Sequence, residues 1–265
     1  VVGGEALVKA VDKVIEKARP LAAHLLEASA DDLEYVGGRF GVRGTDQGIT
    51  IQELATAAFA AHSYPEDMEP SLDAEATYDP VNFNFPHGTH LCAVEVDTET
   101  GQVSMRKYAC CDDIGNIINP LIVAGQVHGG LVQGIAQALW EEAVFDDSGT
   151  LVSGSFTDYL LPTAADTISF DIDHTTSPSL TNTLGTKGVG EAGTIASTPA
   201  VVNAVVDAVR HLGIDDITMP CTPERVWRAI QGVAGGGATE GAAMPHFDAS
   251  TGMDGTVDRT TGGAQ

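Results

Sequence analysis

Three features of the 265-residue sequence predict an α+β fold. Segments with apolar residues near the 3.6-residue period recur along the chain. Strand-like segments come in pairs joined by short turns. The two kinds alternate without the regular βα repeat that builds a doubly wound parallel sheet. The expectation is mixed sheets with hairpins and packed helices.

Residues 5–28 read as a helix, with Leu7, Val11, Val14, Ile15, Leu21, Leu25 and Leu26 on one face; Pro20 should kink or interrupt it. Leu33–Val42 reads as a hairpin around Gly37-Gly38. Thr50-Ile51-Gln52-Glu53 is a capping-box signature that opens a helix to about Ala61. Residues 62–86 hold four prolines (Pro65, Pro70, Pro80 and Pro86) and predict a long irregular stretch. His90–Asp97 and Gln102–Cys110 read as strands joined at Thr98–Gly101.

Asn119-Pro120 pairs a capping residue with proline at the first helical position, so a helix is expected from there to about Glu142. It carries Gly125, Gly129, Gly130 and Gly134. Each costs about 1 kcal/mol relative to Ala, so either tight helix packing or close approach of something large must explain them. Further strands are expected near 151–160 and 167–174, and a short one at Ile217–Met219. Thr198-Pro199 is expected to cap a helix reaching Leu212, and Thr222-Pro223 another reaching Gln231. Residues 232–265, rich in Gly, Ala, Thr and Asp, are expected to form a disordered acidic tail behind a folded part spanning 1–231.

Lys and Arg total 13 against 37 Asp and Glu, a net charge of −24 that argues against nucleic-acid binding, since phosphates need a cationic face. An acidic yet foldable composition suggests a proteome adapted to high salt, where screening mutes self-repulsion. No run of about 18 apolar residues predicts a membrane span. The opening Val1-Val2-Gly3-Gly4 runs straight into a helical pattern, as in a fragment or a processed subunit. Cys92, Cys110, Cys111 and Cys221 form no CxxC pair, so reduced, buried thiols in a cytoplasmic protein are expected, with no metal-ligand set. His87 and His90 have HxxH spacing but precede a strand, which argues against a shared metal; His128, Trp140 and Trp227 read as packed or hydrogen-bonded core residues.

The chemistry concentrates in Gly185-Thr186-Lys187-Gly188-Val189-Gly190-Glu191-Ala192-Gly193-Thr194. Gly185 and Gly190 have the spacing of a phosphate loop, but Glu191 and Ala192 stand where Lys and a hydroxyl residue belong, and a carboxylate there repels phosphate. A nucleotide-binding module and a plain glycine-rich turn are the weaker readings. The stronger is a carboxylate held in an enclosed, water-poor site against a large cofactor, able to act as a general base.

Lys187–Glu191, with Gly125–Gly130, Asp112–Pro120 and Phe156–Thr163 in the same order, resembles the large subunit of the molybdenum hydroxylases, the xanthine dehydrogenase and aldehyde oxidase family, and within it the carbon monoxide dehydrogenase branch. The resemblance covers about residues 1–231 and identifies them as the C-terminal part of a molybdopterin-binding domain; the acid excess suggests a haloarchaeal version. It implies a molybdopterin cytosine dinucleotide with molybdenum, with Glu191 as the base beside the metal. Gln126 falls on the family's cofactor-contacting glutamine. Lys187, Gly188, Val189 and Gly190 would lie along the cofactor through backbone groups, with Asp113 or Asp112 also in contact.

The implied partners are the N-terminal half of the large subunit, a small subunit with iron–sulfur clusters, a medium subunit with FAD, and a small-molecule substrate. The segments that choose among carbon monoxide, aldehydes and purines belong to the family's upstream half, which is not in this sequence. A non-catalytic fragment of the same fold is the alternative.

Overall fold

The computed structural model describes residues 1–60, 64–65 and 68–234. The expected tail falls outside the described residues from 235 onward, and residues 232–234 belong to a helix. The architecture is α+β, as predicted, and is built on two hydrophobic cores.

The first core joins α1 (Val2–Leu25) and α2 (Ile51–Ala60) to a small antiparallel sheet of β1 (Leu33–Val36), β2 (Arg39–Val42) and β3 (Gly48–Thr50). Ala18, Leu21, Ala22, Phe40, Leu54 and Ala58 are fully shielded there. Pro20 does not interrupt α1. A proline removes one backbone hydrogen bond, and burial of its neighbours Ala18, Leu21 and Ala22 offsets that loss. The capping box forms as read: Thr50 N donates to Glu53 Oε2 at 2.8 Å, and Glu53 N donates back to Thr50 Oγ1 at 3.3 Å. The third strand went unpredicted because three residues are too few to show alternation.

The second core joins a sheet ordered β4 (His87–Val96), β5 (Val103–Asp113), β6 (Phe170–Thr175) to α3 (Pro120–Leu139), α4 (Ala192–Val209) and α5 (Pro223–Ala234). β4 pairs antiparallel with β5, and β6 runs parallel to β5. Two expected strands are absent. The 151–160 region contributes a single bridge, Phe145 to Leu151, and Ile217–Met219 is irregular, with Ile217 as a buried anchor.

α4 begins at Ala192 rather than at Thr198-Pro199. The Thr198 hydroxyl caps nothing; it donates across to the Gly134 carbonyl of α3 at 3.1 Å. α4 with its following turn is long and apolar enough to cross a membrane by composition, unlike the sequence expectation. Its Val201, Val205 and Val209 stripe is fully buried in the second core, which marks a core helix. Trp227 is 41% exposed and Trp140 half-buried, so neither is a full core residue. Cys110 and Cys221 are buried as expected and Cys92 and Cys111 only half-buried; all four are unpaired.

One buried carboxylate ties the two cores together. Glu5, in the first turn of α1, is fully shielded and accepts from Thr183 Oγ1 at 2.8 Å and Leu184 N at 2.8 Å. The Leu184 N–H, ahead of the Thr183 contact, holds its carboxyl below the usual range.

Candidate cofactor-binding face

The glycine segment is fastened from behind. Gly115 and Gly185 both take left-handed backbone, with φ of 65° and 66°, and a side chain at either would strike neighbouring atoms. Asn116 N donates to the Gly185 carbonyl and Lys187 N to the Ile114 carbonyl, both at 2.9 Å. Gly188 N donates to the Asn84 carbonyl at 2.9 Å, and the Asn182 side chain brackets Thr186 through its N–H and carbonyl. The N–H groups of Lys187 and Gly188 are therefore turned inward, so at these two residues the expected backbone contact with a cofactor would fall to other backbone groups than the N–H. Those of Val189 and Gly190 have no partner among the described residues.

Asp113 lies under the loop rather than on its outer face. It is 1% exposed, accepts from Gly115 N at 2.9 Å and Ser177 N at 3.1 Å, and pairs with Lys187 Nζ at 3.2 Å. Hydrogen bonds from Ser177 and then Gly115 hold its carboxyl well below the usual carboxylate range. A depressed native pKa makes the tie fully effective above the unfolded value of about 3.9, and it is lost as pH falls through the lower native value. Carbon-13 NMR of the Asp113 carboxyl should give a midpoint clearly under about 3.9. A midpoint at the ordinary value would mean that the fastening is not formed.

α3 starts where the sequence placed it, with Asn119 Oδ1 accepting from Ile122 N at 3.1 Å. Its four glycines divide into two pairs. Gly130 and Gly134 are buried where α3 meets α4: a Cβ on Gly130 would lie 3.0 Å from Thr194 N, and one on Gly134 would strike Ser197 Oγ. From the other helix, a Cβ on Gly193 would lie 2.7 Å from the Val127 carbonyl oxygen. Gly125 and Gly129 are exposed and meet nothing within 4 Å.

The same crossing sets side by side the chain segments that carry two of the candidate residues. Gly193 packs against Val127, so Gln126 and Glu191 flank the contact from the two helices. Both are exposed, as are Gly188 and Gly190, and a Cβ on Gly190 would meet nothing within 4 Å. Glu191 occupies the N-cap position of α4, but its side chain makes no capping bond. The enclosed, water-poor setting expected for it is not built by these residues; its carboxylate stands on an open face.

Glu191, Gln126, Val189 and Gly190 thus share one region, with Lys187 anchored at its edge and Asp113 beneath. His128 is exposed rather than in the core, and its Nδ1 donates to the Ala124 carbonyl at 2.7 Å.

Sequence reasoning missed a second constellation. His90 stands opposite Cys110 in the β4–β5 register, and Asp112 follows on the same face of β5. His90 Nδ1 is 2.7 Å from Tyr108 Oη, and His90 Nε2 is 3.1 Å from Asp112 Oδ1. Asp112 is therefore turned away from the glycine loop. Only the strand register could have grouped these residues, because HxxH and CxxC spacings assume ligands from one segment.

Residues 1–168 match the molybdopterin cofactor-binding domain. The chain is 41% identical over 231 residues to the carbon monoxide dehydrogenase large chain of Hydrogenophaga pseudoflava, covering 87% of this chain and 28% of that one. Among solved structures it is similar to reconstituted CO dehydrogenase from Oligotropha carboxidovorans, with a TM-score of 0.81 and 38% identity over 87% of this chain and 29% of that one. It is also similar to quinoline 2-oxidoreductase from Pseudomonas putida 86, with a TM-score of 0.75 and 40% identity over 84% of this chain and 29% of that one. The chain therefore spans well under a third of the length of these relatives.

Proposed function

The chain belongs to the molybdopterin cofactor-binding domain family, and from that premise we propose that it forms one wall of a molybdopterin cytosine dinucleotide site in a molybdenum hydroxylase and supplies the base, Glu191, at the metal. The observation that carries this reading is the open pair Gly125 and Gly129. Glycine in a helix is unfavourable by about 1 kcal/mol, and nothing among the described residues crowds either position. Their bareness suits a large, flat group lying across α3, beside the exposed amide of Gln126, which lies between them in sequence and can both donate and accept in a plane. The partnerless N–H groups of Val189 and Gly190 suit the same group's acceptor atoms.

The bound cofactor supplies a metal centre at which a substrate carbon is oxidised by two electrons. This chain's residues do the rest of what can be assigned. Gln126 orients the pterin edge. Lys187, its charge met by Asp113, holds the loop. Glu191 accepts a proton at a carboxylate oxygen during oxidation and returns it to solvent afterwards. An exposed carboxylate is a weak base for this role, so part of the relatives' length that is absent from these residues must cover it.

The stacked pair Phe83 and Phe85, 5.4 Å apart and 79% and 72% exposed, offers an apolar surface for that covering piece. In the assembled enzyme, partner subunits carrying iron–sulfur clusters and FAD would take up the electrons. The unpaired thiols are in keeping with a cytoplasmic setting, and the −24 charge with high salt.

The test is co-expression with a polypeptide covering the rest of the relatives' length, followed by molybdenum analysis and acid release of cytidine nucleotide. One of each per chain is expected, and neither in its presence would overturn the proposal. Assays with carbon monoxide, aldehydes and N-heteroaromatic compounds then identify the substrate. The same preparation should melt at higher temperature in about 1 M KCl than in about 0.1 M, as screening shortens from about 10 to 3 Å; a flat response would remove the high-salt reading.

A further inference from the structure

We propose that His90, Cys110 and Asp112 form a binding site for a divalent cation of the Zn2+ class, on the face of the β4–β5 pair that packs into the second core and independent of the pterin reading. The three candidate ligand atoms all lie within 4.8 Å of one another. His90 Nε2 and Asp112 Oδ1 are 3.1 Å apart, close to the roughly 3.3 Å edge of a tetrahedron with bonds of about 2.0–2.1 Å. One nitrogen, one thiol sulfur and one carboxylate oxygen is a donor set that suits zinc over magnesium or calcium, which prefer all-oxygen shells.

Two buried groups are left over by the hydrogen bonds present. The chain from Tyr108 through His90 to Asp112 occupies both imidazole nitrogens and one carboxylate oxygen. Asp112 Oδ2 is buried with no partner among the described residues, on a side chain only 3% exposed. A carboxylate oxygen in that position is costly unless something meets it. Cys110 is also buried, beside that carboxylate, and it forms no disulfide. A cation held by Nε2, Oδ1 and the sulfur gives the thiol a partner and sets a positive charge beside the unpartnered Oδ2.

The surrounding groups fit the exchange. With the cation on Nε2, the imidazole proton moves to Nδ1 and is donated to Tyr108 Oη, the outer hydrogen bond that fixes a ligating histidine. Burial, and then the Asp112 charge, push the Cys110 thiol up to about 12, so it is protonated without metal. Coordination forms the metal–sulfur bond and releases that proton to solvent, one per cation. No electrons move. A cleft of about 550 Å³ between β4 and α4, lined in part by His90, Cys92 and Asn203, borders the site on its His90 side. Asp207, Asp215 and Asp216 line it against the single Arg210, a balance that favours entry of cations.

The experiment strips the full chain with a chelator and titrates it with Co2+ alone as a spectroscopic stand-in for zinc. The expected result is one Co2+ per chain, with sulfur-to-cobalt charge-transfer absorption and the strong visible bands of a four-coordinate ion, bleached by Zn2+. Cys110→Ser should abolish the charge-transfer band, and Cys111→Ser, on the opposite face of the strand, should keep it. Asp112→Asn should weaken binding by at least about tenfold. Absence of the band in the unmodified chain overturns the proposal whether or not any variant folds. So does a band that survives Cys110→Ser, or Co2+ bound only with the weak spectrum of an all-oxygen shell, which would be adventitious binding to surface carboxylates.

Discussion

Glu191→Gln in the assembled enzyme should lower kcat by about two to four orders of magnitude while the molybdenum and cytidine content stays unchanged. The two side chains are nearly the same size, and Glu191 makes no capping bond, so the exchange leaves α4 undisturbed. What it removes is the capacity to take a proton. Steady-state kinetics with metal analysis on the same sample separates the possibilities. Turnover at the original rate would assign the base to another residue. Equal loss of metal and rate would make Glu191 a structural support of the loop.

Gly193→Val should cost about 3 kcal/mol of stability, at the upper end of what overpacking a filled interior costs. A Cβ there would already lie 2.7 Å from the Val127 carbonyl oxygen and 2.8 Å from Leu131 N, both backbone atoms of α3 that cannot rotate aside. The added methyls force the helices apart and carry Gln126 away from Glu191. Gly125→Ala is the matched contrast. It meets nothing within 4 Å, so stability should hold or rise by up to about 1 kcal/mol, yet the cofactor content of the assembled enzyme should fall. Chemical denaturation and molybdenum analysis check both. A Gly193→Val chain as stable as the original would mean that the crossing is looser than drawn. Full loading of the Gly125→Ala enzyme would mean that nothing large lies over α3.

Much of this frame was legible because its signals are local. Asn119-Pro120 and the Thr50–Glu53 box each act within four residues, so the sequence alone carries the physics. What escaped reading depends on partners far along the chain. Thr198-Pro199 looks like a helix start, yet its hydroxyl is taken by Gly134 of another helix. Four glycines in one segment could not be divided into packing and open pairs until the position of α4 was known. Glu191, Gln126 and the glycine loop were singled out by pattern, but their openness to solvent was not legible, because enclosure depends on three-dimensional packing. The His90, Cys110 and Asp112 group needed the strand register itself.

The Glu5 clasp sets an order of events during synthesis. Its donors, Thr183 and Leu184, stand 178 and 179 residues further along. An emerging chain can wind α1 early, but that helix's first turn must stay hydrated until the far segment arrives, because a carboxylate sealed away without its donors is costly. The segment that runs on from these donors to Glu191 is therefore among the last parts to lock, and a polypeptide halted before residue 183 carries the opening helix with its latch undone.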